Sequence, residues 1–312
     1  MSAADTHLVV DERELVAGTS LWQDAWRRWR RNRVSVVSAV VLVAVMVFCS
    51  VGPLAAELLL GATYDGQDIS LGASAPSWAH PMGTDVLGRD VMARTMHGGR
   101  VSLMVALVAT AVSLLVGVTY GAVSGFVGGR VDAAMMRFVD LLLSTPYLLL
   151  VIVLMAVIPP SSVSIGGLDG SFVLMFAALG LVSWLVLARI VRGQVLSLKQ
   201  QEYVEAARAI GVPQATILFR HIVPNTLGPV IVYSTLTIPS VMLSEAFLSF
   251  LGLGIREPQA SWGTLVSDGA NAMVVYPWLL LAPGLTMTLT LFCLNFLGDG
   301  LRDALDPRQG ET

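Results

Sequence analysis

Charged side chains are scarce in this 312-residue chain, and the few that recur at short spacing stand out. Glu202, Glu205 and Arg208 follow one another three residues apart, which puts them on one side of any helix that holds them. Ala206, Ala207 and Ala209 lie among them and Gly211 follows. Small side chains permit close approach by another protein, and charges at the rim supply polar contacts, so the chemistry offered is docking. Asp85, Arg89 and Asp90, with Gly83 and Gly88, point to a tight turn braced by an internal ion pair, or to a gate or contact for an external protein. Glu245 lies in an apolar run six residues after Pro239, where a carboxylate is costly unless paired or facing water. It reads as a hydrogen-bonded brace at a subunit interface, or as a group near a translocation path that meets a substrate amine.

The remaining residues offer little catalytic chemistry. Lys199 is the single lysine and has no Gly-Lys-Ser/Thr context, which excludes a phosphate-cradling loop. His80 precedes Pro81, yet it has no second histidine or cysteine at ligand spacing, and His97 stands too far off to help. Cys49 and Cys293 sit inside apolar runs as small hydrophobes. We expect no catalytic residue, no metal site and no cofactor bound by the chain itself.

The elements that must carry these residues are membrane helices. The sequence is 55% hydrophobic and 13% charged, with a mean hydropathy of +0.72, outside the range of a soluble domain. Its net charge of −3, with basic residues dispersed in loops, argues against nucleic acid as a partner. Six apolar runs approach the ~20 residues that cross the hydrocarbon layer. They span Val34 to Leu60, Val101 to Val127, Leu141 to Ile158, Phe172 to Ile190, Leu227 to Leu251 and Trp278 to Phe296. A backbone in lipid must satisfy itself, so the expected fold is all-α. The first run starts too late, and lacks a cleavage pattern, for a removable signal peptide.

Arginine placement predicts orientation. With both termini in the cytosol, that side receives Arg27, Arg28, Arg30, Arg31 and Arg33, then Arg130, Arg137, Arg189, Arg192, Lys199, Arg208, Arg220, Arg302 and Arg308. The other side receives only Arg89, Arg94, Arg100 and Arg256, as the positive-inside rule requires. The predicted organisation is a cytosolic segment over 1–33, a six-helix domain over 34–298 and a cytosolic tail over 299–312. Within the domain, 61–100 forms an outer loop and 192–226 a cytosolic loop. Ser20 and Gln23 form a capping-box pattern before Trp22, Trp26 and Trp29, which predicts a short helix lying on the lipid surface. Pro283 with Gly284 predicts a kink and Asn295 an interhelical contact. Asp299, Arg302, Asp303 and Asp306 read as a solvated end, with Arg302 and Asp306 spaced to pair on one helix face.

The cytosolic loop has a readable shape. Residues 201–210 suit a helix that ends at Gly211, a residue fitted to the left-handed cap. Pro213 suits the first turn of a second helix, in which Ile217, Leu218 and Ile222 form an apolar stripe and which Pro224 should end. The expectation is a helix-Gly-helix elbow.

At this point the sequence resembles the integral-membrane permeases of ATP-binding-cassette importers, whose cytosolic loop carries Glu-Ala-Ala, three residues, then Gly. Glu205, Ala206, Ala207 and Gly211 stand at that spacing, with Pro224 at the family's distance. The family's isoleucine and leucine before the proline are replaced by His221 and Val223. Further stretches extend the likeness: HPMGTDVLGRD over 80–90, SEAFLSFLGLG over 244–254, SWGTL over 261–265 and LGDGLRDALDPR over 297–308. Together they look like the C-type permease subunit of the dipeptide, oligopeptide and nickel group.

The resemblance implies a bacterial inner-membrane protein that forms half of a transmembrane path for peptides by alternating access. ATP and Mg would be bound by two ATP-binding-cassette subunits, with a second permease subunit of B type and an extracytoplasmic substrate-binding protein completing the assembly. It implies that the elbow docks on the ATP-binding subunit, with Glu205 and Gly211 as its signature. Two other classes remain open from the residues alone: a proton-coupled secondary transporter using Glu245, and a membrane assembly subunit with no transport path.

Overall fold

Amides and carbonyls in hydrocarbon must find partners within their own segment, and this chain meets that demand with helices. A computed structural model describes residues 21–158 and 170–305. Among them there is no strand, only an isolated antiparallel bridge between Thr84 and Asp90. A short helix α1 (Leu21–Arg31) leads to α2 (Arg33–Leu60), which Asn32 caps by accepting from the Ser35 amide at 3.2 Å. A non-helical segment over 61–90 leads to α3 (Val91–Val127), followed by α4 (Gly129–Leu143), α5 (Tyr147–Val157) and α6 (Gly170–Leu198). The elbow contains α7 (Glu202–Ala209) and α8 (Gln214–Thr216). A π-helical turn (Ile217–Ile222) and a 3-10 turn (Val223–Thr226) then run straight into α9 (Leu227–Phe250). Helices α10 (Trp262–Ala272) and α11 (Trp278–Leu305) follow. Five helical runs are long and apolar enough to cross a membrane, or six if α4 and α5 form one span.

Most expected spans appear, with corrected ends. The third is not straight: α4 and α5 meet at 85°. Pro146 explains the break, because its ring disfavours helical geometry at Thr145. The second span starts ten residues earlier than expected, since Asp90 caps α3 by accepting from the Ala93 amide at 2.8 Å, so the connection expected over 61–100 ends at residue 90. The fourth continues to Leu198, because Arg192 is paired rather than solvated: its Nε and Nη2 donate to Asp132 of α4 at 2.5 and 2.6 Å. The sixth extends to Leu305, so Asp299, Arg302 and Asp303 belong to helix rather than tail. Ser20, Asp306 and Arg308 lie outside the described residues, and the capping box and the Arg302–Asp306 pair with them.

The central packing is α3 against α6. Lipid gives helices no hydrophobic reason to associate, so small residues that let backbones approach carry much of the contact. Gly117, Gly121 and Gly125 repeat every four residues on the face of α3 that meets α6. A Cβ on Gly121 would stand 2.3 Å from the Ala188 carbonyl oxygen, and one on Gly125 would stand 2.9 Å from that of Arg192. Gly180 of α6 repeats the device against Val112. The first core layer joins this pair to α2, α5, α9, α10 and α11 through residues such as Cys49, Val105, Met175, Leu248 and Trp262.

Replacing Gly121 by leucine should therefore push the two backbones apart. The expected loss is about 1–3 kcal/mol, the usual scale of overpacking. Thermal unfolding of the purified chain in detergent reads it, and an unchanged midpoint would contradict the close α3–α6 contact.

Candidate functional site

The elbow is built on the end of the α3–α6 pair. Helix α6 stops at Leu198, and a turn over 199–201 reverses the chain into α7. Helix α7 ends as its sequence predicts: Gly211 has φ of +81°, its amide donates to the Arg208 carbonyl at 3.0 Å, and the Val212 amide donates to that of Ala207 at 3.0 Å. These two bonds form a Schellman cap, which requires the left-handed backbone that glycine adopts without penalty.

One face of the elbow is fastened to the body. Val204, Ile217 and Ile222 have no exposed surface and pack with Ala122 and Phe126 of α3 and with Leu187, Val191 and Val195 of α6. Phe126 is also held from the polar side. The Lys199 ammonium donates to its carbonyl at 2.6 Å and lies 5.7 Å from its ring centroid, while the Arg208 guanidinium lies 6.0 Å from the same centroid. Arg208, expected only as a rim contact, thus also closes over its own chain.

The other face is open. Glu202, Glu205, Ala206, Arg208, Gly211 and Pro224 are exposed. Ala207 is the correction: it is buried and seats the elbow, so the small outward residues are Ala206 and Ala209. Bulky side chains missed in the sequence share this face. Ile210 is 81% exposed and Phe219 55%, in a segment otherwise polar enough that apolar residues without a buried partner could have signalled them. Pro224 does not end the second arm. Its missing amide falls within the π and 3-10 turns, where the Val223 amide donates back to the Leu218 carbonyl, and the helix proceeds to Phe250.

At the opposite end of α3, the predicted ion-paired turn is present. Asp85 accepts from the Leu87 and Arg89 amides at 2.9 and 3.0 Å and from Arg89 Nε at 2.6 Å. Arg89 Nη1 reaches across to Glu257 at 2.9 Å. Burial works against the Arg89 charge, but these two carboxylates outweigh it and hold its pKa above the ordinary value. Asp90, besides capping α3, receives His80 Nδ1 at 2.8 Å, so His80 is occupied in fixing this turn. His97 stacks on Tyr64 at 3.8 Å between centroids and bonds Gln259 at 2.7 Å.

Glu245 is 1% exposed. Its Oε1 receives the Ser249 and Ser261 hydroxyls at 2.9 and 2.6 Å, and its Oε2 receives that of Ser102 at 3.1 Å. Ser102 in turn accepts from the Trp262 amide at 3.0 Å, and the Trp262 indole donates to the Thr95 carbonyl at 2.9 Å. The carboxylate therefore ties α9, α3 and the start of α10 together inside one chain. The three partners found for it among the described residues all belong to this chain.

Two stretches of the chain match family models that agree with this geometry. Residues 117–311 match the binding-protein-dependent transport system inner membrane component, and residues 20–76 match the N-terminal transmembrane domain of oligopeptide transport permease C. The chain belongs to this permease family. It is 47% identical over 301 residues, 96% of this chain and 92% of the relative, to the oligopeptide transport system permease protein OppC of Haemophilus influenzae. Over 295 residues, 94% of this chain and 93% of the relative, it is 49% identical to that of Escherichia coli K12. It is 41% identical over 291 residues, 93% of this chain and 86% of the relative, to the dipeptide transport system permease protein DppC of Bacillus subtilis. The permease is a multi-pass protein of the bacterial inner membrane.

The buried carboxylate of this permease should matter to folding first. Glu245→Ala strands three hydroxyls and should cost about 2–4 kcal/mol. Glu245→Gln, which keeps one acceptor oxygen, should cost less. Denaturation of the purified chain orders the two, and equal stability of all three proteins would refute the brace.

Proposed function

We propose that this permease is one of the two membrane subunits of a binding-protein-dependent importer of short peptides, with its elbow gripped by an ATP-hydrolysing partner. The observation that carries the reading is the elbow itself. One face is locked to α3 and α6, the opposite face is open, and the second arm passes unbroken into α9. A partner that moves the elbow therefore moves membrane helices. The family match supports the class, and the names of the oligopeptide and dipeptide relatives support the solute.

In this reading the elbow faces the cytosol, as do both termini, and the outer turn and α10 face the substrate-binding protein. Glu202, Glu205 and Arg208 supply polar contacts at the rim of the docked surface. Ala206 and Gly211 allow close approach, and Ile210 and Phe219 provide apolar anchors of the kind that dominate interface energies. The chain supplies no nucleotide site of its own; two ATP-binding-cassette subunits supply ATP and Mg, and a B-type permease completes the path. ATP-driven closure of those subunits displaces the elbow and tips the bundle between inward-open and outward-open states. The secondary-transport alternative loses its main support, since Glu245 is enclosed by three hydroxyls rather than open to a proton path.

Reconstituted with its partners in vesicles, the permease should lose ATP-driven peptide uptake by about tenfold or more with Glu205→Ala combined with Phe219→Asp, a loss of at least one anchor's energy. Binding-protein stimulation of ATP hydrolysis should fall with it. Gly211→Val should behave similarly because the left-handed backbone costs a β-branched residue about 1–2 kcal/mol, whereas Gly211→Asn should retain most activity. Wild-type uptake and stimulation in all of these variants would defeat the coupling role.

A further inference from the structure

A cavity of about 370 Å³ opens beside the outer turn, between the start of α3, α10 and the start of α11. Arg94, Asp268, Asn271, Ala272 and Leu279 are on its walls, with Arg89 and Glu257 at one side. Arg94 is 3% exposed, yet its Nη1 has no hydrogen-bond partner and its nearest carboxylate, Asp85, stands 3.8 Å from its Nε. Asp85 is already committed to Arg89, which also takes Glu257. A buried guanidinium with unused donors is a poor resting arrangement, because desolvating it without hydrogen bonds costs several times what a loose ion pair returns. On the α10 wall, Asp268 is exposed and has no ion pair or hydrogen bond to its carboxylate among the described residues. One cavity thus presents a buried cation with an unused donor and, across from it, a solvent-facing carboxylate free of any protein partner among the described residues.

We propose that this cavity is a transient binding site for a small zwitterion, in which Arg94 holds a carboxylate and Asp268 an ammonium group. The site deepens the importer reading and rests on it, since free short peptides carry these two groups. The surrounding charge favours a zwitterion over a simple anion: Asp85, Glu257 and Asp268 outnumber Arg89 and Arg94, so a ligand with no positive group would meet net repulsion. The volume accepts a dipeptide, and Leu279 and Ala272 offer apolar wall to short side chains. The family signature in the elbow lies at the other end of α3 and takes no part.

The test uses the permease–ATPase assembly purified without its binding protein, at constant ionic strength. Its thermal unfolding midpoint is followed while dialanine, dialanine amide, N-acetyl-dialanine, alanine or acetate is added. Dialanine should raise the midpoint, and removing either terminal charge should raise its half-saturating concentration about tenfold, the worth of one charge-assisted hydrogen bond. Alanine matching dialanine would assign the site to amino acids within the same zwitterion class. Arg94→Gln should abolish the preference for dialanine over its amide, and Asp268→Asn the preference over the acetylated form. Ala272→Leu, which fills the cavity without touching an ion pair, should weaken all zwitterions and keeps the test open if the Arg94 variant does not assemble. Equal shifts from the three dialanine forms would overturn the site. So would a full shift from acetate, which would mark an adventitious ion only, or unchanged preferences in the Arg94 and Asp268 variants. Failure of ATP-driven uptake in the complete reconstituted system would instead fell the importer reading on which the site rests.

Discussion

The close approach of α3 and α6 is the contact on which the other features stand. Gly121 brings one backbone against the Ala188 carbonyl of the other, at a distance no larger residue allows. In a bilayer such contact substitutes for the hydrophobic drive that folds soluble cores. Helix α3 is 37 residues long, roughly 55 Å at the usual rise, so one rod reaches from the Asp85–Arg89 turn to the elbow. Its first turns hold Thr95, His97 and Ser102, which receive α10 and the loop before it. Its last turns hold Ala122 and Phe126, which receive the elbow. Losing the fit with α6 would loosen both ends together.

Polar pairs complete the fastening where the apolar contact ends. At the elbow end, Asp132 joins α4 to Arg192 of α6 and also receives the Ser124 hydroxyl of α3 at 2.6 Å. At the opposite end, Glu245 joins three elements through hydroxyls, and Arg89 joins the turn over 83–90 to Glu257 before α10. Both arrangements give a buried polar group several partners, the condition under which such groups hold geometry rather than weaken it. Between them the middle of the bundle packs mainly through apolar contact, with Thr110 and Ser113 of α3 buried among it.

What the sequence made legible follows from range. The Schellman cap at Gly211, the Asp85–Arg89 turn and most of the spans depend on residues close in the chain, and local pattern located them. The extra ten residues of α3 depend on the Asp90 cap and on His97 finding Gln259 and Tyr64, and Arg192 stays within α6 because Asp132, sixty residues away in the chain, pairs with it. A charged residue looks like a helix end until its partner is known. Ala207 and Ala206 are neighbours with identical side chains, and only the packing of α7 on Phe126 and Ile217 decides which faces out. Gly117, Gly121 and Gly125 take their meaning only from the partner α6, which no local pattern names. Glu245 read as expensive from its position; Ser249 lies one turn on in the same helix, but Ser261 precedes α10 and Ser102 lies in α3, and no local pattern gathers those two.

The elbow's second arm shows why a proline can serve continuity. An amide absent at Pro224 would break a regular α-helix, because the carbonyl one turn back loses its donor and the ring presses on it. Widening the preceding turn to π geometry and tightening the next to 3-10 places that gap within a change of pitch, so the chain axis carries on into α9. The same helix is fixed twice: near its start Val230 lies in the elbow cluster with α3 and α6, and near its end Glu245 binds α3 and α10. A displacement applied at the elbow therefore has no slack to take up within α9. It must either break the contacts that seat Val204 and Ile217 or move α3, α6 and α9 as one body. Val204 and Ile217 have no exposed surface, so unseating them would bare apolar area to solvent, and that cost favours the second route.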